Sequence, residues 1–171
     1  MKKFIAAGLA LCMAFMLAAC GASPSSTASQ AGSGTSAAAD GSAVTIKLGG
    51  IGPITGSTAV YGEAVMNGAQ IAVDEINASD SAVKFEYNFQ DDEGDAETAV
   101  NAYNILKDWG MQVLMGTVTT APCLAVISET EADNMFQITP SASSTDVIVP
   151  DNVFQVCFTD PNQGVSDADY I

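Results

Sequence analysis

Between Val44 and Phe158 the hydrophobic pattern switches repeatedly from a period of two to a period near 3.6 and back, and few folds accommodate that alternation. Val44-Thr45-Ile46-Lys47-Leu48 alternates apolar and polar residues and predicts a strand. Gly49 to Gly56, rich in glycine with Pro53 inside it, predicts a loop. A helix is expected from about Ala59 to Asn77, with Val65, Ala69, Ala72 and Ile76 on its apolar face. Val83 to Phe89 alternates again and predicts the second strand. The next helix spans Ala96 to Trp109, with Ala99, Tyr103 and Leu106 facing inward. Met111 to Met115 is the third predicted strand, and a helix follows with Pro122 in its first turn and an end near Asn134. Met135 to Thr139 and Val153 to Phe158 are the fourth and fifth strands. Strands alternating with helices specify right-handed βαβ units, so the fold class is α/β: a doubly wound parallel sheet covered on both faces.

In such sheets ligands bind beyond the carboxyl ends of the strands, which singles out the loops 52–61, 116–122 and 139–146. Thr119 and Thr120 stand at a strand-to-helix turn, where a helix leaves its first N–H groups unpaired. They read in two ways. A threonine before a helix is most often an N-cap. Two hydroxyls beside the positive end of a helix also make a pocket for a small anion such as a carboxylate. Thr139-Pro140-Ser141-Ala142-Ser143-Ser144-Thr145-Asp146 places a second hydroxyl cluster on the same rim, which favours the pocket.

Charge narrows the chemistry. The chain has 20 acidic residues, five lysines, no arginine and no histidine. A basic nucleic-acid surface is excluded. So are histidine general bases, Ser-His-Asp triads and histidine-ligated zinc. Neither GxxxxGK[ST] nor GxGxxG occurs, and no cofactor or metal is expected. Asp91-Asp92-Glu93-Gly94-Asp95 lacks the alternating order of a calcium loop and reads as a solvated acidic loop. Met111, Met115 and Met135 read as core. Cys123 and Cys157 are open to two readings, a disulfide or buried free thiols.

The first 43 residues differ in kind. Residues 1–19 have a basic start and an uncharged apolar stretch, the pattern of an export signal. Leu17-Ala18-Ala19-Cys20 resembles the bacterial lipoprotein box, which implies lipid on Cys20 and anchoring to the membrane. Residues 20–43, almost wholly Ser, Ala, Gly and Thr after the cysteine, read as a flexible tether.

From about residue 44 to 171 the chain resembles the type I periplasmic binding proteins of the leucine/isoleucine/valine group, the substrate-binding components of ABC importers. The resemblance rests on Gly52-Pro53-Ile54-Thr55-Gly56 with Tyr61-Gly62, Asn67 to Ala72, Asp91-Asp92, Gly116 to Thr120, Thr139 to Ser143 and Asp160 to Gly164, in family order. It implies two lobes closing over an amino acid. Thr120 and Ser143 match residues that hold the ligand's carboxylate, Ser141 one that offers its backbone carbonyl to the ammonium, and Tyr61 an aromatic wall; Thr119 adjoins Thr120. It further implies an exported, lipid-anchored receptor that serves ABC permease and ATPase subunits. Residues 44–159 are then expected to form an incomplete first lobe and 160–171 the start of a truncated second. Receptors for amides, urea or aromatic acids on this scaffold, an esterase-like enzyme, and a sensory lipoprotein signalling to a partner stand as the alternatives.

Overall fold

The computed structural model describes residues 43–171, so the predicted export signal, Cys20 and all but the last residue of the tether lie outside the described residues. Five strands form one sheet: β1 Val44–Gly52, β2 Val83–Asp91, β3 Val113–Gly116, β4 Gln137–Thr139 and β5 Val153–Gln155. The helices are α1 Ala59–Ala78, α2 Ala96–Trp109, α3 Thr120–Ala132 and α4 Asp160–Tyr170, with a short 3-10 turn at Thr145–Ile148. All pairs are parallel, and the strand order is β2-β1-β3-β4-β5. The chain steps one way from β1 to β2 and then back across β1 to β3. Right-handed crossovers therefore place α1 on one face and α2 and α3 on the other. The side chains agree. Ile51 and Leu114 pack with Ala99, Tyr103, Leu106 and Val126 in one buried cluster on the α2–α3 face.

Helix α2 spans the residues its sequence predicts. The Asp95 side chain accepts a hydrogen bond from Thr98 N, and Gly110, at φ +90°, ends the helix in the left-handed conformation. Other boundaries move. The expected loop at Gly49 is strand through Gly52. A side chain at Gly49 would meet the Met111 sulfur at 2.1 Å, and one at Gly50 would meet the Phe89 ring at 2.3 Å. These glycines serve close packing on the two faces of the sheet and not a turn. On α1 the inward line runs through Gly62, Val65, Ala69 and Val73, while Ala72 and Ile76 are exposed. Gly62 and Val73 are eleven residues apart, close to three helical turns, which sets that line. Helix α3 starts at Thr120, with Pro122 still in the first turn. β3 begins at Val113, and β4 and β5 are three residues each. Past Gln155 the ladder contributes one more bond, from Val156 N to Thr139 O, before the chain leaves toward α4.

Candidate functional site

The site forms where β3 and β4 end. Gly116 has φ +152°, and a side chain there would stand 2.6 Å from the Ile51 carbonyl oxygen, so only glycine fits. The turn beyond it is internally tied: Thr117 Oγ1 donates to the Thr119 carbonyl at 3.0 Å. Thr119 occupies the N-cap position of α3 but makes no capping hydrogen bond, and its buried Oγ1 has no partner. The capping reading thus describes its position and not its side chain.

The second loop is bound to the first. Thr139 Oγ1 donates to the Thr117 carbonyl at 2.8 Å and accepts from Ala142 N at 3.1 Å. Ser141 Oγ donates to the Val118 carbonyl at 2.6 Å. Gln137 Nε2 donates to the Gly116 carbonyl at 2.8 Å. From the other side, Gln155 Nε2 donates to the Ala142 carbonyl, and Asp160 N donates to the Ser143 carbonyl at 3.0 Å.

Around these loops lies a cavity of about 260 Å³ lined by Tyr61, Val118, Thr119, Thr120, Ser141 and Ser143. All five sequence-predicted site residues line it. Tyr61 comes from α1, Thr119 and Thr120 from the start of α3, and Ser141 and Ser143 from the loop after β4. Val118 is the lining residue the sequence does not reveal, because an apolar side chain among hydroxyls reads as core. Gln137 and Thr139 go unseen for another reason: their partners are backbone atoms about twenty residues away. Among the described residues no charged side chain lines the cavity. Its polarity comes from hydroxyls and from the first-turn N–H groups of α3, which favour an anionic group.

The 52–61 loop reaches the cavity only through Tyr61. Ile54 and Thr55 of this loop are tied back by Asp91, whose carboxylate accepts from Ile54 N at 2.9 Å and Thr55 Oγ1 at 2.6 Å. Burial pulls the Asp91 carboxyl upward, but those bonds and one from Glu93 N outweigh it and hold it below the usual range. The neighbouring acidic stretch is solvated at Glu93, Gly94 and Asp95, as its composition predicts, but not at Asp92. Asp92 is 0% exposed, because Asp92 N pairs with Gly52 O and carries the side chain inward beside β1. Its Oδ1 accepts from Gly94 N at 2.9 Å, and its Oδ2 has no partner. Burial, reinforced by the Asp91 and Asp95 charges, pushes the Asp92 carboxyl up to about 6.

Cys123 and Cys157 are free thiols in the structure. Cys123 is buried with Ile127, Ala142, Val147 and Val153, and burial raises its thiol. Cys157 is half-buried, 3.5 Å from the Ala142 carbonyl. Met111 is core, Met135 packs against the core half-buried, and Met115 is half-buried. Among the described residues no three His, Cys, Asp or Glu side chains gather as metal ligands, and no helix is long and apolar enough to cross a membrane. A second cleft of about 310 Å³, lined by Phe158, Asn162, Gln163 and Ser166, lies along α4.

Comparison with known proteins gives a consistent answer. Residues 45–171 match the family described as periplasmic binding protein. The chain is 32% identical over 130 residues to a Leu/Ile/Val-binding protein homolog of Brucella melitensis, covering 74% of this chain and 35% of the relative. It is 33% identical, with the same coverage, to the Leu/Ile/Val-binding protein BraC3 of Rhizobium johnstonii. The chain therefore spans about a third of the length of the curated relatives it matches. Among solved structures, the leucine binding protein LivK of Thermotoga maritima superposes with a TM-score of 0.67 at 28% identity, over 73% of this chain and 36% of that one. LivJ of Streptococcus pneumoniae, a branched-chain amino acid transporter substrate binding protein solved with isoleucine, superposes at 0.64 and 29% identity, over 68% and 34%. With its parallel α/β sheet and this family match across residues 45–171, the chain belongs to the periplasmic binding protein family, in its type I form.

Proposed function

We propose that this chain is part of the extracytoplasmic substrate-binding component of an ABC transporter, and that it binds a branched-chain or related amino acid for uptake. The observation that carries the proposal is a cavity lined by hydroxyls, with a buried unpartnered Thr119 Oγ1 and no charged side chain, in a chain whose relatives are named for leucine, isoleucine and valine. In this reading the ligand's carboxylate lies against Thr120 and Ser143 and the N–H groups at the start of α3. Hydrogen bonds to a charged acceptor are roughly twice as strong as neutral ones, so the site needs no arginine. The Ser141 hydroxyl is committed to Val118 O, which leaves its own carbonyl to accept from the ammonium. Tyr61 walls the cavity, and Thr119 supplies a free hydroxyl. Residues 44–159 form the first lobe and 160–171 open the second, whose residues meet the ammonium and the aliphatic side chain. Lipid on Cys20 anchors the exported protein, the 20–43 tether lifts it off the membrane, and permease and ATPase subunits accept its cargo. The site binds and does not catalyse.

A thermal-melt screen of the full gene product against the amino acids tests this, because a ligand that binds only the folded state raises the melting temperature. Leucine, isoleucine or valine raises it, and Thr120→Ala with Ser143→Ala removes the shift. A shift with hydroxybenzoate or an amide and none with any amino acid overturns the ligand assignment.

A further inference from the structure

We propose that Gln137, Thr139 and Ser141 are positioning residues of the candidate site: their side chains hold three successive carbonyls, those of Gly116, Thr117 and Val118, and so fix where Thr119 and Thr120 present their hydroxyls and N–H groups. This rests on the binding role assigned above and adds residues to it. The backbone pairing of β3 with β4 stops at Leu114–Gln137 and Met115–Ile138. The next three residues on the β3 side are buried, and buried carbonyls are costly without partners. Alternate positions on the β4 side meet them in turn: Gln137 Nε2 on Gly116 O at 2.8 Å, Thr139 Oγ1 on Thr117 O at 2.8 Å, and Ser141 Oγ on Val118 O at 2.6 Å. Side chains thus continue the ladder where the backbone leaves it. With the carbonyls held toward β4, the turn is delivered to the start of α3 in a single arrangement.

The support behind this series is complete. Gln137 is 0% exposed, and its Oε1 accepts from Thr130 Oγ1 at 2.7 Å, which fixes the amide with Nε2 toward Gly116. Thr139, also 0% exposed, donates to one rim loop and accepts from the other through a single hydroxyl. A fully satisfied buried network of this kind rigidifies what it joins, and here it joins the two loops that line the cavity.

A purely structural role predicts lost stability with unchanged affinity; positioning predicts lost affinity in protein that remains folded. The test compares the full gene product with Thr139→Val, Thr139→Ser and, as a stability control remote from the cavity, Tyr103→Phe, whose hydroxyl bonds Asp133. Titration calorimetry with L-isoleucine, well below the melting transition, is paired with hydrogen exchange of the peptide spanning 116–126. Thr139→Val, which leaves Thr117 O and Ala142 N unpaired, weakens binding about ten-fold and speeds exchange in that peptide. Thr139→Ser restores both, and Tyr103→Phe lowers the melting temperature alone. Unchanged affinity in folded Thr139→Val overturns the inference. If Thr139→Val does not fold, Ser141→Ala, at the exposed end of the series, replaces it; weaker binding upholds the inference and unchanged binding overturns it. If the unsubstituted protein binds no L-isoleucine, the ligand assignment fails separately, and exchange in the 116–126 peptide then decides the inference, upheld if faster and overturned if unchanged.

Discussion

At the scale of single residues, Asp92 is the least expected feature. A fully buried carboxyl with one unpartnered oxygen favours its neutral form. Its carboxyl, pushed up to about 6, lies above the usual value near 4 for an unfolded chain. Between those values the folded state keeps a proton that the unfolded state has released. Stability from this group is therefore fully present below about pH 4 and is lost as pH rises through about 6. Asp91, Asp95 and Asp133, each held below the usual range, act in the opposite sense and in the window below about pH 4. Asp92→Asn should flatten the urea-denaturation profile between pH 4 and 6, and raise stability at pH 7 by on the order of 1 kcal/mol after allowance for solvent screening. An unchanged slope there would show that Asp92 does not titrate as described. The sequence hides all this, since four acidic residues around a glycine look solvated and only the pairing of Asp92 N with Gly52 O draws the side chain in. Among the described residues, Lys47 holds the Trp109 carbonyl and lies 5.0 Å from its ring centroid, Lys84 holds the carbonyls of Asn77 and Ser79 at the end of α1, and Lys107 pairs with Asp133. Each of these three lysines is committed to the fold, in keeping with a cavity whose described lining has no cation.

At the scale of elements, legibility depends on whether the determining contacts are local. Helix α2 carries its own start, stripe and stop: the Asp95 cap, the Ala99–Tyr103–Leu106 line, and Lys107 before Gly110. Its boundaries are accordingly readable from sequence. Gly49 to Gly52 carry loop signals locally, yet they pair with β2 and β3, far along the chain, as strand, and Met111 and Phe89 pack where side chains at Gly49 and Gly50 would stand. No short window contains that information. The first turn of α3 lies between these cases, since Pro122 marks the turn while Thr119 and Thr120 leave the first residue open. The α2 packing gives a direct prediction. Leu106 is 0% exposed at the centre of the main cluster, whereas Ile105 beside it is 53% exposed. Leu106→Ala should cost about 2–5 kcal/mol in equilibrium unfolding, and Ile105→Ala much less, within about 1 kcal/mol. Similar losses at both positions would contradict the assignment of the inner face.

At the scale of the whole molecule, the alternation of strands and helices is visible in the sequence and implies a parallel sheet with right-handed crossovers, while the order β2-β1-β3-β4-β5 is seen only in the structure. What the sequence does not show is how much of the second sheet face stays open. On the face opposite α2 and α3, Phe136 and Phe154 stack at 5.2 Å, and both remain nearly half exposed, as does much of Val156 and Phe158 nearby. The candidate site was partly legible in the same way. Two hydroxyl clusters on one rim marked the loops that line the cavity, while Val118 and the side-chain ladder from Gln137 to Ser141 depend on how β3 and β4 end together. In the proposed function this rim receives the carboxylate of an amino acid. A crystal structure of the full gene product grown with L-isoleucine tests it most directly. We expect carboxylate oxygens at about 2.7–3.2 Å from donors of Thr120 and Ser143, with the ammonium turned toward the Ser141 carbonyl. An isoleucine bound elsewhere, or bound with its aliphatic chain against Thr120 and Ser143, would contradict it.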